Sequence, residues 1–353
     1  MIEFLCVLNM RRWYNAGCYA WCRSALLLSL ASLVPMVSFG AEQSAEPTQQ
    51  TSFFDFLNAP HDYWSAKLIG FAGGLDRFLG DDTSFQEANE SVVQVDLNEV
   101  ANQGGNRHTT LVARANVVLP LAEKRLHLLV ETDPEKAATG AATKDRPVLP
   151  SDIEAPKSYA AAVSYQKEEK NVWNFSAGAG IKLRASLAPY ARARGSVSIP
   201  LRKWRLKLEQ NVYWFNTIGA GESTQMDIEH LLSDSVLFRA TTNATWLHDK
   251  QAFDLSQDMS INHKIDERSA LVYQVSAIGV SQPQWQVTDY VALVRYRRRL
   301  HLDWLFVEIS PQLHYPKERE YHIDPLLIVR LELLFGGKRA AVQPVPKIDG
   351  SAL

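Results

Sequence analysis

Cysteine is almost absent from this chain, and none occurs after residue 22: Cys6, Cys18 and Cys22 are the three among 353 residues. A disulfide framework and a redox Cys-x-x-Cys centre are therefore excluded for everything downstream. Cys18 and Cys22 are four apart, but no second Cys or His pair lies nearby to complete four ligands, so no metal is expected there. Charge of one sign is also lacking. The 37 Lys and Arg against 39 Asp and Glu leave a formal charge of -2, whereas a nucleic-acid partner calls for a basic face. No apolar run after Gly40 is long enough to cross a bilayer as a helix, so any membrane insertion must use strands. The sequence contains no G-x-S-x-G, H-E-x-x-H or phosphate-cradling glycine loop, and no cofactor is implied.

What is present begins with an export signal. Arg11, Arg12 and Arg23 precede an apolar run from Ala25 to Val37, and Ser38, Gly40 and Ala41 supply small residues for a cut after Gly40. Residues 1–40 are expected to be a signal peptide, with Met10 the more usual start. An uncleaved anchor helix is the alternative. Asn15 to Cys18 has the look of a lipoprotein box, but no apolar run precedes it.

Residues 41–60, rich in Gln, Ser, Glu and Pro, read as a flexible leader. Over 61–80 the period is helical: Trp64, Leu68, Phe71, Leu75 and Phe78 make one aromatic-rich stripe, with Asp62 and Gly80 as candidate caps. Such an amphipathic helix packs under a barrel, plugs its lumen, lies in a membrane interface, or belongs to the core of a soluble domain. Gly70 to Gly74 (GFAGG) lies within this pattern without a preceding strand, which points to close packing rather than nucleotide binding.

From about residue 91 the period changes to two. Val93, Val95 and Leu97 alternate with Gln94, Asp96 and Asn98, and Phe175 to Leu183 alternate with Ser176 to Arg184. The same holds around Arg192 and Arg194, around Arg205, Lys207 and Glu209, around Asp254 and Asp258, and over Leu327 to Phe335. One apolar and one strongly polar face suits a transmembrane barrel, whose strands face lipid on one side and the lumen on the other. A soluble β-sandwich alternates too, but these segments exceed the usual five or six residues. Aromatics at segment ends (Trp173, Tyr190, Trp204, Trp214, Trp246, Trp285, Trp304) fit interfacial girdles. Tight charged connections such as 200–203 and 264–269 alternate with others read as longer loops, including 216–223 and a strandless stretch over 133–157 expected to be external and mobile. The fold class is therefore all-β: an antiparallel transmembrane β-barrel over 91–337 of about 14 strands, or 12 if 91–100 is not one, with a tail over 338–353.

The signal segment, the alternating strands and the final LIVRLELLFGG together resemble Gram-negative outer-membrane β-barrel proteins of porin-like architecture. That resemblance implies residence in the cell outer membrane among lipid and lipopolysaccharide, and a last strand ending in an aromatic, here Phe335, that the barrel assembly machinery reads. The chain departs from the pattern by continuing to Leu353. LDRFLGD (75–81) and LPLAEKRLHLLVE (119–131) further resemble a proteobacterial outer-membrane family to which no activity attaches.

With polar positions turned inward, Lys182, Arg184, Arg192, Arg194, Arg205 and Lys207 form a basic lumen wall, and Asp227, Glu229, Asp254 and Asp258 an acidic one. Opposed walls would orient a dipolar or anionic solute. Two functions follow: passive passage of small polar or anionic solutes, the solute itself unspecified, or a structural or assembly barrel plugged by the N-terminal helix. A barrel-embedded hydrolase ranks third, because parity sets His263 against Ser260 and Asn262, and His230 against Asp227 and Glu229. His127 shares a face with Glu131 and reads as a lumen hydrogen bonder.

Overall fold

A strand with one polar and one apolar face is stable only where the two faces meet different surroundings, and a closed barrel in lipid provides this for every strand at once. In a computed structural model the chain closes into such a barrel, with polar side chains inside and apolar ones outside. The structure describes residues 67–68, 70–80, 91–119, 125–139, 146–149, 158–169, 173–183, 187–300 and 304–336. The signal peptide (1–40), the leader (41–60), Asp62, Trp64, Arg184 and the tail (338–353) lie outside the described residues.

Fourteen strands form one antiparallel closed sheet. They are β1 (Val92–Asn102), β2 (Arg107–Val118), β3 (Leu126–Thr132), β4 (Tyr159–Glu169), β5 (Trp173–Leu183), β6 (Ala188–Leu201), β7 (Trp204–Phe215), β8 (Gly219–Ser233), β9 (Val236–Leu247), β10 (Ala252–Lys264), β11 (Ser269–Val280), β12 (Gln286–Arg299), β13 (Leu305–Pro316) and β14 (Asp324–Gly336). Each pairs with its neighbour in sequence, and β14 returns to β1 in a register running from Val92 against Gly336 to Asn102 against Leu326. Segment 91–100, on which the choice between 14 and 12 strands turned, is thus the strand that closes the sheet.

Burial is inverted relative to a water-soluble core. His127, His314, Glu229 and Glu332 are inside and at most 2% exposed, while Leu111, Val212, Val275 and Tyr273 stand on the outside, 44 to 56% exposed. Trp204, Trp214, Trp285 and Trp304 lie on that outer surface, and Phe335 stacks on Trp304 with ring centroids 5.6 Å apart. Tyr190 does not join the girdle. Parity puts it on the lumen face of β6, where it is buried and stacks on Phe215 at 4.9 Å.

The expected alternation of short and long connections does not hold. Between β7 and β8 only 216–218 are outside strands, and between β9 and β10 only 248–251, much as 202–203 and 234–235 are at the other end. The glycines of NTIGAGES suggested a loop, yet Gly221 lies within β8 because the ring of Tyr213 crosses it; a β-carbon there would sit 2.4 Å from that ring. At the turn over 265–268, Asp266 accepts the backbone N–H of Arg268 at 2.6 Å, which holds its carboxyl below the usual carboxylate range.

Two short helices enter the barrel from opposite ends. Helix α1 (70–79, with 67 and 68 also helical) stands in the end where the chain enters and leaves the sheet. Leu68, Phe71, Ala72, Leu75, Phe78 and Leu79 pack there on Leu237, Ala270, Val272 and Phe306, and Gly80 ends the helix at φ 75°. Five large apolar side chains at about 2 kcal/mol each give a burial term on the order of 10 kcal/mol, an upper bound because the unfolded chain already buries part of this surface. At the other end, helix α2 (Pro134–Ala138) belongs to the stretch expected to be external and mobile, and instead turns into the mouth. Ala138 packs among Leu129, Tyr190, Tyr213, Phe215 and Leu247. Asp133, at φ 46°, anchors it: its carboxylate accepts from the Ser158 N–H at 2.9 Å and the Ser158 hydroxyl at 3.1 Å.

Substituting Gly221→Ala is expected to displace the Tyr213 ring and to cost about 1 to 3 kcal/mol, the range for overpacking. A lower urea midpoint for loss of the compact band on unheated gels measures it, and an unchanged midpoint would contradict the ring-over-glycine packing.

Candidate functional site: the lumen and its two stoppers

Lumen chemistry follows from strand parity, and partners follow from register. On β7, Arg205 and Lys207 face inward; on the adjoining β8, Glu229 and Asp227 do, and the register sets Arg205 against Glu229 and Lys207 against Asp227. Consecutive antiparallel strands are neighbours, so a basic strand followed by an acidic one gives cross-strand pairs rather than opposed walls. The transverse field expected from the sequence is accordingly replaced by local pairing.

Most of these groups among the described residues have partners, several of them beyond the adjoining strand. Arg194 bonds Glu209 at 2.6 Å, and Arg192 lies 3.0 Å from Glu131, which also accepts from the Tyr190 hydroxyl at 3.2 Å. Lys182, 1% exposed, bonds Glu135 of α2 and the Thr217 hydroxyl, the latter at 3.1 Å. On the acidic side, Asp227 accepts from Thr241 at 2.6 Å and Gln225 at 3.0 Å, and Asp258 from Ser256 and Gln274, both at 3.2 Å. Asp254, nearer the rim, pairs with Lys250 at 3.2 Å.

At the α1 end a four-membered cluster ties helix to wall. Asp76, on the edge of the α1 stripe, bonds Arg239 and lies 3.6 Å from Arg205. Both arginines also bind Glu229, Arg239 at 2.9 Å. Two carboxylates and two guanidiniums balance, so Asp76 docks without leaving net charge in the wall. Of the stripe expected to make the helix face, Leu68, Phe71, Leu75 and Phe78 all lie in the apolar cluster, and Phe78 meets Phe306 edge-on at 6.0 Å.

A second network was not singled out from the sequence. Arg297 forms a bidentate pair with Glu332 at 2.7 and 3.0 Å and lies over the Phe306 ring at 4.5 Å. Glu308 joins Arg330 at 3.1 Å, and Arg330 donates to Asn98 at 2.7 Å across the closing seam. Arg330 and Glu332 alternate with Leu331 and Leu333 in the final strand, so parity alone marks them as inward; what was lacking was knowledge of which strands become neighbours. His314 and Asp289 make the nearest approach to a catalytic pair, at 2.7 Å, but Nε2 of His314 faces Gln312 at 3.2 Å rather than a serine. His127 bonds Asn116 at 2.8 Å, and His230 lies on the outside against Trp204. Among the described residues no group of three metal-ligating side chains converges.

No family model and no curated protein matches the chain. Solved structures similar over most of the barrel include the CymD monoaromatic hydrocarbon channel, with 7% identity, 73% of this chain and 91% of that chain covered, and a TM-score of 0.44. Others are OmpT, an outer membrane protein of Vibrio cholerae, as a loop L8 deletion mutant (9%, 69% and 98%, 0.43), and the outer membrane channel DcaP of Acinetobacter baumannii (9%, 70% and 96%, 0.39). At these scores the strand number and closure rest on the sheet of this chain.

Glu332→Gln is expected to cost about 1.5 to 3 kcal/mol, because it removes the bidentate partner of the buried Arg297 and leaves it Glu308 at 3.7 Å, whereas adding Arg297→Met to it should recover most of the loss. Urea unfolding in detergent, followed by tryptophan fluorescence, measures both. Equal instability of the single and double variants would show that the pair is not the source.

Proposed function

We propose that this protein is a porin-like outer-membrane channel for small polar or anionic solutes, held shut by its own N-terminal helix. The observation that carries the reading is α1 itself: an amphipathic helix seated inside a polar-lined barrel and tied to it through Asp76, Arg205, Arg239 and Glu229. Fourteen strands enclose more width than side chains fill unaided, since about eight already pack closely, and here α1 and α2 occupy the surplus. The apolar outer face and aromatic ends support placement in an outer membrane. A permanently plugged structural barrel is the second reading, favoured by the dense Arg297, Glu308, Arg330 and Glu332 network. Neither reading makes the protein an enzyme.

Conductance in planar bilayers separates the two. Wild-type barrel is expected to carry little current, and so is Asp76→Asn, because Phe71, Leu75 and Phe78 stay buried when the ion pair is lost. Deletion of residues 53–80 should give steady current that prefers anions, because Arg205 and Arg239 then face Glu229 alone; adding Arg239→Gln should reduce the preference. Folded barrels that lack residues 53–80 and also carry Glu135→Gln to loosen α2, yet pass no current, would sink the channel and leave the structural reading.

A further inference from the structure

The stopper at the opposite mouth has a different chemistry. Helix α2 presents one carboxylate, Glu135, to Lys182 of β5 and to the hydroxyl of Thr217 in the β7–β8 turn, and both bond it. Beneath α2 lies a cavity lined by Ala137, Ser176, Gly178, Arg192, Arg194 and Tyr213. Its wall on β4 and β5 includes the small inward residues Ser164, Ser176 and Gly178, and with α2 in place the space is only about 20 Å³, so a solute body enters only as α2 withdraws.

We propose that the cradle of Lys182 and Thr217 is a carboxylate-binding site in which Glu135 stands in for the carboxylate of a solute entering the mouth. The charges of this end make the case. Lys182, Arg192 and Arg194 are matched by Glu131, Glu135 and Glu209, and of those carboxylates only Glu135 is carried by the inserted loop; Glu131 and Glu209 belong to strands β3 and β7. Withdrawal of α2 strands a buried ammonium, a costly state that one carboxylate relieves. A lysine with a hydroxyl beside it meets a carboxylate with charge-assisted hydrogen bonds. The hydroxyl of Tyr213, 2% exposed and without a hydrogen-bond partner among the described residues, lines the space below, which a polyhydroxylated or otherwise polar body attached to that carboxylate would enter once α2 has withdrawn. Ligand and α2 therefore compete for Lys182, and occupancy by solute coincides with an unstoppered mouth. The inference deepens the channel reading by naming the class of solute, a small polar monocarboxylate, and it is tested by binding rather than by current.

Gluconate, a polyhydroxylated monocarboxylate, and sorbitol, its neutral counterpart, are the probes, applied by equilibrium dialysis to the full barrel in detergent. Glu135→Gln removes the internal competitor and is expected to bind gluconate about tenfold more tightly than wild type, with sorbitol bound by neither. A folded Glu135→Gln barrel that takes up no gluconate saturably, or that takes up sorbitol equally well, overturns the proposal. Should that variant not fold, wild type decides: gluconate but not sorbitol should speed tryptic cleavage after Lys136 on α2, and an unchanged rate overturns the proposal. Saturable gluconate binding by a barrel whose form lacking residues 53–80 and carrying Glu135→Gln passes no current would keep the site and reject the channel.

Discussion

Pairing of β1 with β14 along the eleven residues of β1 is the contact on which the rest of the structure depends. An open fourteen-strand sheet would leave two edges of unpaired N–H and C=O groups, each costing several kcal/mol in hydrocarbon. Closure removes both edges and, in the same step, divides every strand into an inner and an outer face. Polar residues at even positions of β1 and odd positions of β9 become lumen residues for that reason alone. Arg330 to Asn98 is the side-chain counterpart of this seam, joining the last strand to the first across the lumen surface.

Division into faces then creates an electrostatic problem, because the lumen receives arginines, lysines and carboxylates in quantity. Burial of an unpaired charge costs several kcal/mol, so local neutrality governs how the interior is arranged. Adjacent strands supply it within the wall, directly opposite as between Arg205 and Glu229 or on the diagonal as between Arg194 and Glu209. Where the wall does not balance itself, a stopper does: Asp76 from α1 completes the pair of guanidiniums on Glu229, and Glu135 from α2 completes Lys182. The two helices thus fill the barrel and neutralise it together.

Much of this was legible in the sequence because parity is a local property. Period two between Val93 and Phe335 was enough for the fold class, the strand number and the inward or outward direction of Lys182, Arg194, Asp227 and Glu229. The stripe of Leu68, Phe71, Leu75 and Phe78 was enough for an amphipathic helix, though not for its place in the lumen. What escaped was whatever depends on which strands and loops meet. Arg192 and Arg194 read as an uncompensated wall because Glu131 is three strands away round the barrel and Glu209 was counted on a basic strand. Glu135 was invisible as a lumen group because its Ala- and Pro-rich surroundings carry no periodicity. Tyr190 looked interfacial because it begins a strand, yet its parity matches Arg192.

The two stoppers are held by unequal forces, and the inequality orders their release. α1 buries five large apolar side chains, a term on the order of 10 kcal/mol, in addition to its ion pairs. α2 buries Pro134 and Ala138, a term nearer 1 or 2 kcal/mol, and otherwise depends on Glu135, on the clasp at Asp133 and on a bond from Thr245 to the Thr139 carbonyl at 3.2 Å. A ligand that offers Lys182 another carboxylate replaces the largest polar part of that hold directly. No small anion replaces what holds α1, because displacing a carboxylate from Arg239 leaves Phe71, Leu75 and Phe78 still buried. The mouth at α2 is therefore the end that responds to solute, and the end at α1 opens only to something that can give its apolar stripe another surface.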